Sequence, residues 1–139
     1  MIRNCGILFI ALFVVFLVSG CGSDGSSEAK SIIKNQASVT EDYVNGLTNA
    51  KNADDVVGTI EQYTEGMKKL IPELREFQKN YPDYKQGKLP AGMEADIKRM
   101  EEASARIPAA MMKVTQYMMD ARVQEAMTLM GNEMANLNQ

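Results

Sequence analysis

A regular apolar series in the middle of the chain constrains the fold more than any other feature. Eight residues recur at alternating spacings of four and three, which is the period of one face of an α-helix. They are Val56, Ile60, Tyr63, Met67, Leu70, Leu74, Phe77 and Tyr81. Just before them, Asn52 can cap a helix, and Asp54 and Asp55 place negative charge at its start. The series therefore predicts a long helix over about 53–80 with one buried face.

Three further helices are predicted, over about 28–50, 92–119 and 121–137. The first carries a broad face of two neighbouring stripes, Ile33, Ala37, Thr40, Val44 and Leu47 beside Ile32, Val39, Tyr43, Gly46 and Ala50. The third helix carries the series Ile97, Met100, Ser104, Ile107, Met111, Val114 and Met118. The fourth carries Val123, Met127, Met130, Met134 and Leu137. Each series would bury one side of its helix.

After Met118 the apolar residues no longer continue the same helical face. Asp120 lies at this change and is a candidate cap for the fourth helix. Pro72 and Pro108 lie inside the second and third helices, where each predicts a bend. With no alternating strand pattern, the chain is predicted to be all-α, an antiparallel three- to four-helix bundle. We expect the second and third helices, the longest, to form its central hairpin.

The N-terminal segment has a different character. Arg3 is followed by an uninterrupted apolar run from Ile7 to Val18. A helix needs roughly 20 apolar residues to cross a bilayer, so this run is too short and fits the apolar region of a signal peptide. It ends at Val18-Ser19-Gly20-Cys21, which resembles the lipobox of bacterial lipoproteins: an aliphatic residue, two small residues and a cysteine.

This resemblance implies that residues 1–20 are a signal peptide cleaved after Gly20, and that Cys21 carries diacylglycerol and acyl chains such as palmitate. Two or three chains anchor a protein durably, whereas one does not. Residues 21–27 would be the lipidated cysteine and a flexible tether, and residues 28–139 the helical bundle. Gly22, rather than aspartate, follows the cysteine. In enterobacteria this favours the outer over the inner membrane, with the protein facing the periplasm.

Composition removes several classes of function. The chain has no histidine, so serine–histidine or cysteine–histidine catalysis and histidine-ligated zinc or haem are excluded. After cleavage Cys21 would be the sole cysteine, so no internal disulfide is possible. Loss of Arg3 changes the formal charge from −3 to about −4. This acidity argues against nucleic-acid binding, which relies on basic surfaces.

The methionines offer one candidate site. Seven of the eleven lie between Met111 and Met134, and thioethers suit Cu(I) or silver. Most fall on the predicted buried series and are interpreted as core. We name Met111, Met112, Met118 and Met119 as candidate thioether ligands, with Met112 and Met119 beside the series. A third interpretation is a plastic apolar surface that accepts varied partners.

A second candidate is the connection from Asn80 to Gly92, which is long for a helical bundle. It contains two prolines, two glycines, two tyrosines and two lysines. A packed connector explains most of this composition. The alternative is a recognition loop formed by Tyr81, Tyr84, Lys85 and Lys88.

The acidic residues of the second and third helices lie beside lysines and arginines, as on an ordinary solvated surface. A glycoside-cleaving pair of acids needs no histidine, but tryptophan, a common sugar platform, is absent. We therefore expect a non-enzymatic protein without a cofactor, which binds or supports another envelope component. The alternatives are a copper- or silver-binding protein and a small periplasmic chaperone, although the paired Leu-Thr-x-x-Gln motifs of helical-hairpin chaperones are missing.

Overall fold

The computed structural model describes residues 26–82 and 92–137 of the chain. Within these ranges it contains helices and turns but no strand, which confirms the all-α prediction. The helices are α1 (Ser26–Asn49), α2 (Ala53–Asn80), α3 (Glu94–Val114) and α4 (Ala121–Leu137). A 3-10 turn (Thr115–Tyr117) follows α3. None of the described helices is both long and apolar enough to cross a membrane.

The start of α2 is fixed by side-chain oxygens. Asn52 Oδ1 accepts a hydrogen bond from the Asp55 backbone N–H at 2.9 Å. Asp55 Oδ2 in turn accepts one from the Lys51 backbone N–H at 2.8 Å. These contacts satisfy amide groups that a helix start otherwise leaves unpaired. The helix then runs without interruption through Pro72, whose ring is exposed.

The break between α3 and α4 occurs where the apolar spacing changes. Helix α3 ends at Val114, earlier than the predicted end at about 119. Met118 N–H bonds to the Thr115 carbonyl at 3.1 Å, and Asp120 N–H bonds to the Tyr117 carbonyl at 3.0 Å. These i→i+3 bonds tighten the chain into a turn. Asp120 Oδ1 then accepts from the Arg122 backbone N–H at 2.9 Å and caps α4. Pro108 lies inside α3 without ending it.

The predicted central hairpin of the second and third helices is wrong, because α1 and α2 form the central pair. Two glycines bring these antiparallel helices together. A Cβ on Gly46 would lie only 2.5 Å from Thr59 Oγ1, and one on Gly66 only 2.9 Å from Val39 Cγ2. A stripe of apolar residues on a single helix does not reveal such a close approach, so the sequence alone favoured the wrong pair.

The outer helices lie beside the central pair. Helix α3 packs against α1, and Arg99 of α3 contacts Glu41 of α1 through its Nε at 3.0 Å. Helix α4 packs against α2, and Arg122 of α4 binds Asp54 of α2. Within each of these pairs, the two helices run in the same direction. Consecutive helices therefore alternate in direction, as in an antiparallel four-helix bundle.

Two clusters of buried residues fill the interior. The turn-end core lies near the α1–α2 and α3–α4 turns, and all four helices contribute to it. It consists of Tyr43, Val44, Leu47, Ala53, Val56, Ile60, Ala110, Val114, Val123 and Ala126. The tether-end core lies near the start of α1 and the end of α2. It consists of Ala29, Ile32, Met67, Leu70, Ile71, Phe77 and Met93.

The predicted apolar series agrees best with the structure in α2. Five of its eight residues are buried, and Tyr63, Leu74 and Tyr81 are half-buried. In α3 the buried residues coincide with the predicted series at Val114 and otherwise lie one residue before it. Ala103 and Ala110 are buried, while Ser104 and Met111 lie half-buried beside them. The small alanines allow α3 to approach α1, so the larger side chains move to the edge of the contact.

Candidate functional site

A groove lies between α1 and α2. It has a volume of about 260 Å³ and lies midway along the central pair. Its lining combines aromatic, amide and charged side chains with the backbone at Gly66. The lining residues are Val39, Asp42, Tyr43, Thr59, Gln62, Tyr63, Glu65, Gly66 and Lys69.

Two stacked tyrosines form the inner part of this groove. The ring centroids of Tyr43 and Tyr63 are 4.5 Å apart, with a tilt of 37°. The Tyr43 hydroxyl donates a hydrogen bond to the Met111 sulfur at 3.8 Å, which links α1 to α3. Burial, followed by the neighbouring Tyr63, raises the pKa of Tyr43 to about 12. Burial also raises the pKa of Tyr63. Both rings therefore remain neutral at physiological pH.

The rim of the groove is exposed and carries charge of both signs. Asp42 and Glu65 are acidic, Lys69 is basic, and Gln62 supplies an amide between them. Lys68, beside the rim, binds Glu65 at 3.2 Å and approaches Glu133 of α4 at 3.9 Å. Its pKa is raised by the Glu65 hydrogen bond and by both carboxylates. Among the described residues Asp42 and Lys69 form no ion pair, so their charges are available to a ligand.

The groove was not predicted from the sequence. In the sequence, Tyr43 and Tyr63 belong to the apolar series of two different helices. Their rings meet only because α1 and α2 pack together. The available signal was a glycine three residues from each tyrosine: Gly46 after Tyr43 and Gly66 after Tyr63. Each glycine lies against the facing helix and allows the two helices to approach. Such spacing is informative only once the partner helix is known.

The four methionines named as thioether candidates lie in two environments. Met111 and Met118 are half-buried and pack against the turn-end core. Met112 and Met119 are 78% and 84% exposed. None of the four lines the α1–α2 groove. In the part of the chain that the structure describes, no cluster of three or more acidic or cysteine side chains could hold a metal ion either.

Of the predicted recognition loop, only Tyr81 falls within the described residues. Its ring lies 4.9 Å from that of Phe77, and it packs against the tether-end core. Tyr84, Lys85 and Lys88 lie outside the described ranges, as do the predicted cleavage residue Gly20 and the lipidation residue Cys21.

The start of α3 lies at the tether end, close to α1. Gly92 has a φ of 88°, in the region that favours glycine, and the Lys30 ammonium lies near it. The pKa of Glu94 is lowered by the backbone N–H groups of Glu94 and Gly92, and less strongly by Lys30.

Charged side chains elsewhere on the bundle hold helices together. Arg99 binds Glu41 of α1 and Asp96 of its own helix. Hydrogen bonds to Glu41 and then to Asp96 raise the pKa of this arginine. At the turn end, Tyr117 donates from its hydroxyl to the Lys51 carbonyl at 2.7 Å. These contacts join separate helices or turns and need no ligand to explain them.

Comparison with protein-family models, with characterised proteins and with solved structures finds no significant match to this chain. The function is therefore argued from the chain's own residues. The strongest sequence observation is the N-terminal lipobox resemblance, and the strongest structural one is the α1–α2 groove.

Proposed function

We propose that this chain is a lipid-anchored, non-enzymatic binding module that faces the periplasm, favouring the outer membrane. It would contact another envelope component through the α1–α2 groove. The groove carries this proposal, since it combines an aromatic surface with the exposed charges of Asp42 and Lys69 on a packed helical scaffold. Binding sites are commonly concave and mostly apolar, with a few polar groups that fix orientation.

The anchor is supported by the N-terminal residues. Val18-Ser19-Gly20-Cys21 follows an apolar run of signal-peptide length. Cys21 stands five residues before Ser26, where α1 begins. Even when fully extended, such a segment spans only about 18 Å. A lipidated Cys21 would therefore hold the tether end of the bundle close to the membrane, with the groove along its side.

The chemistry of the groove suits binding. Burial raises the pKa values of both tyrosines above the ordinary 10.0, at which a phenol is already neutral at physiological pH, and the Tyr43 hydroxyl already donates to Met111. The rings therefore offer apolar and aromatic surface. Asp42, Gln62 and Lys69 offer charged and amide groups at the rim. A protein segment with an apolar anchor flanked by charged residues would match this surface.

Site-specific photocrosslinking in intact cells tests the groove. A photoreactive amino acid is placed at Gln62, on the exposed rim, and in a separate variant at Gln116, an exposed glutamine in the 3-10 turn. We expect a discrete crosslinked product from position 62 and none from position 116. The product should weaken when Tyr63→Ala is added, provided that circular dichroism shows an intact bundle. The same products from both positions would contradict a specific groove.

Cys21→Ala tests the anchor separately. This variant should lose incorporation of labelled fatty acid and move from the membrane to the soluble fraction. The purified bundle should keep the same helical circular dichroism spectrum, because Cys21 precedes Ser26, where α1 begins. If labelled fatty acid still enters the Cys21→Ala protein, Cys21 is not the lipidation site.

A further inference from the structure

Two pairs of adjacent methionines near the turn end each place one side chain against the core and one in solvent. Met111 and Met118 pack against the turn-end core, and Met111 also accepts the Tyr43 hydrogen bond. Their neighbours Met112 and Met119 are 78% and 84% exposed. Since successive helical residues point about 100° apart, Met111 and Met112 at the edge of α3 divide in this way. Met118 and Met119 lie in the turn before α4, which likewise leaves one half-buried and the other exposed.

The other described methionines are better covered. Met67 and Met93 are buried in the tether-end core. Met100, Met127, Met130 and Met134 are half-buried. Because the reaction of a thioether with an oxidant depends on access to its sulfur, Met112 and Met119 are the two described methionines that an oxidant reaches first.

We propose that Met112 and Met119 are sites of reversible methionine oxidation by peroxide. The thioether sulfur attacks one peroxide oxygen, the O–O bond breaks, and the products are methionine sulfoxide and water. Sulfur loses two electrons and the peroxide gains them. A thiol-dependent methionine sulfoxide reductase reverses the change, with two thiols oxidised to a disulfide and the oxygen released as water.

Oxidation at these two positions leaves the bundle folded, because neither side chain is part of a buried cluster. It replaces an exposed apolar side chain with a polar one and so changes the surface near the turn end. Oxidation of Met111 differs, since its sulfur lies in a packed site and accepts the Tyr43 hydroxyl. This division lets the chain consume oxidant without losing its core.

The sequence supplies an internal control for the test. Trypsin cuts after Arg106, Lys113 and Arg122, giving peptides 107–113 and 114–122. The first contains Met111 and Met112, and the second contains Met118 and Met119. Each peptide therefore carries one exposed and one half-buried methionine, and fragment-ion mass spectrometry separates their oxidation rates within the same molecule.

The folded protein is treated with dilute hydrogen peroxide over a time course, quenched and digested. We expect Met112 and Met119 to oxidise about tenfold faster than their neighbours, a ratio that falls to about one in urea because all thioethers are then equally accessible. The helical circular dichroism should be unchanged when both are oxidised, and methionine sulfoxide reductase with a thiol should restore the original mass.

The double variant Met112→Leu/Met119→Leu keeps the apolar volume and should lose the fast phase of oxidation while retaining its fold. Equal rates for Met111 and Met112 in the folded protein would overturn the proposal. Unfolding that accompanies oxidation of Met112 and Met119 alone would do the same. Sulfoxides at these positions that the reductase cannot remove would refute reversibility.

Discussion

The two ends of the bundle are built from different kinds of side chain. In the turn-end core, all four helices contribute buried residues, most of them valine or alanine. The tether-end core relies on larger and more flexible residues, including Met67, Leu70 and Phe77, and α4 adds only the half-buried Met134 and Leu137. Branched and small residues specify a close fit, whereas methionine adapts to irregular space.

Polar contacts between described residues fix the turn end. At the turn end, Asn52 and Asp120 cap two helices, Arg122 joins α4 to Asp54 of α2, and Tyr117 bonds to the Lys51 carbonyl. At the tether end, α2 ends at Asn80. Tyr81 follows it, with its backbone N–H on the Phe77 carbonyl at 2.8 Å and its ring packed on Phe77. We infer that the turn end is the better-specified part of the fold.

A matched pair of leucine substitutions tests this difference with the largest expected effect. Leu47 belongs to the turn-end core and Leu70 to the tether-end core, and they are 1% and 3% exposed. Leucine-to-alanine changes in a core cost about 2–5 kcal/mol, depending on how far the site collapses. We expect Leu47→Ala near the upper value and Leu70→Ala near the lower, because Met67 and Phe77 can shift into the space. Urea unfolding measures both, and the reverse order would contradict the comparison.

Alkaline titration probes the burial of Tyr43 against Tyr63. Folding raises the pKa of Tyr43 from 10.0 to about 12. Its contribution to stability is therefore complete below pH 10 and is lost as the pH rises from 10 to about 12. The difference corresponds to about 3 kcal/mol. Thermal melts across this range should show a smaller alkaline loss in Tyr43→Phe than in the natural chain. If the Tm of both proteins falls equally with pH, the pKa of Tyr43 is the same in the folded and unfolded chain.

Glycine substitutions test the α1–α2 approach. Gly46→Ala should destabilise the protein by about 1–3 kcal/mol, since the new Cβ would lie 2.5 Å from Thr59 Oγ1. Gly58→Ala in α2 is the control, because its Cβ would meet nothing within 4 Å. Removing a helix glycine there should stabilise by about 0.5–1 kcal/mol. Chemical denaturation measures both changes, and equal effects would contradict the close contact at Gly46.

The Asp120 cap should have the smallest effect, and it depends on pH. Hydrogen bonds from Arg122 lower the pKa of Asp120 below its ordinary value of 3.8. Its stabilising contribution is therefore present above pH 3.8 and is lost as the pH falls through the lowered value. Asp120→Ala should reduce Tm slightly at pH 7, and the difference from the natural chain should close in stronger acid. A difference that persists unchanged would show that the ionised carboxylate is not its cause.

Much of the fold was predictable from local patterns. The α2 series identified buried residues from Val56 to Phe77. Asp120 marked the start of α4 because it is a capping residue that lies where the apolar spacing changes. In α3 the predicted series identified the buried Val114 but missed Ala103 and Ala110, because alanine carries little apolar signal. The central α1–α2 pairing was missed because it rests on Gly46 and Gly66 fitting against side chains of the facing helix, which is information about two helices at once.

The candidate site was less predictable for the same reason. Tyr43 and Tyr63 lie twenty residues apart and form a groove only when α1 and α2 pack together. The exposure of Met112 and Met119 followed from their positions beside the α3 series. The lipobox resemblance, by contrast, lies in four consecutive residues and needs no tertiary structure to be recognised.

The position of the two ends relative to the membrane tests the proposed anchored module most directly. With Cys21 lipidated, no other cysteine remains in the mature chain, so Asn80→Cys and Gln116→Cys give single labelling positions at the tether and turn ends. Helix α2 alone extends about 40 Å between these ends. Energy transfer to an acceptor in the lipid headgroups of vesicles should be efficient from position 80 and weak from position 116. Equal transfer from both positions, or none from either, would contradict an anchor at the tether end.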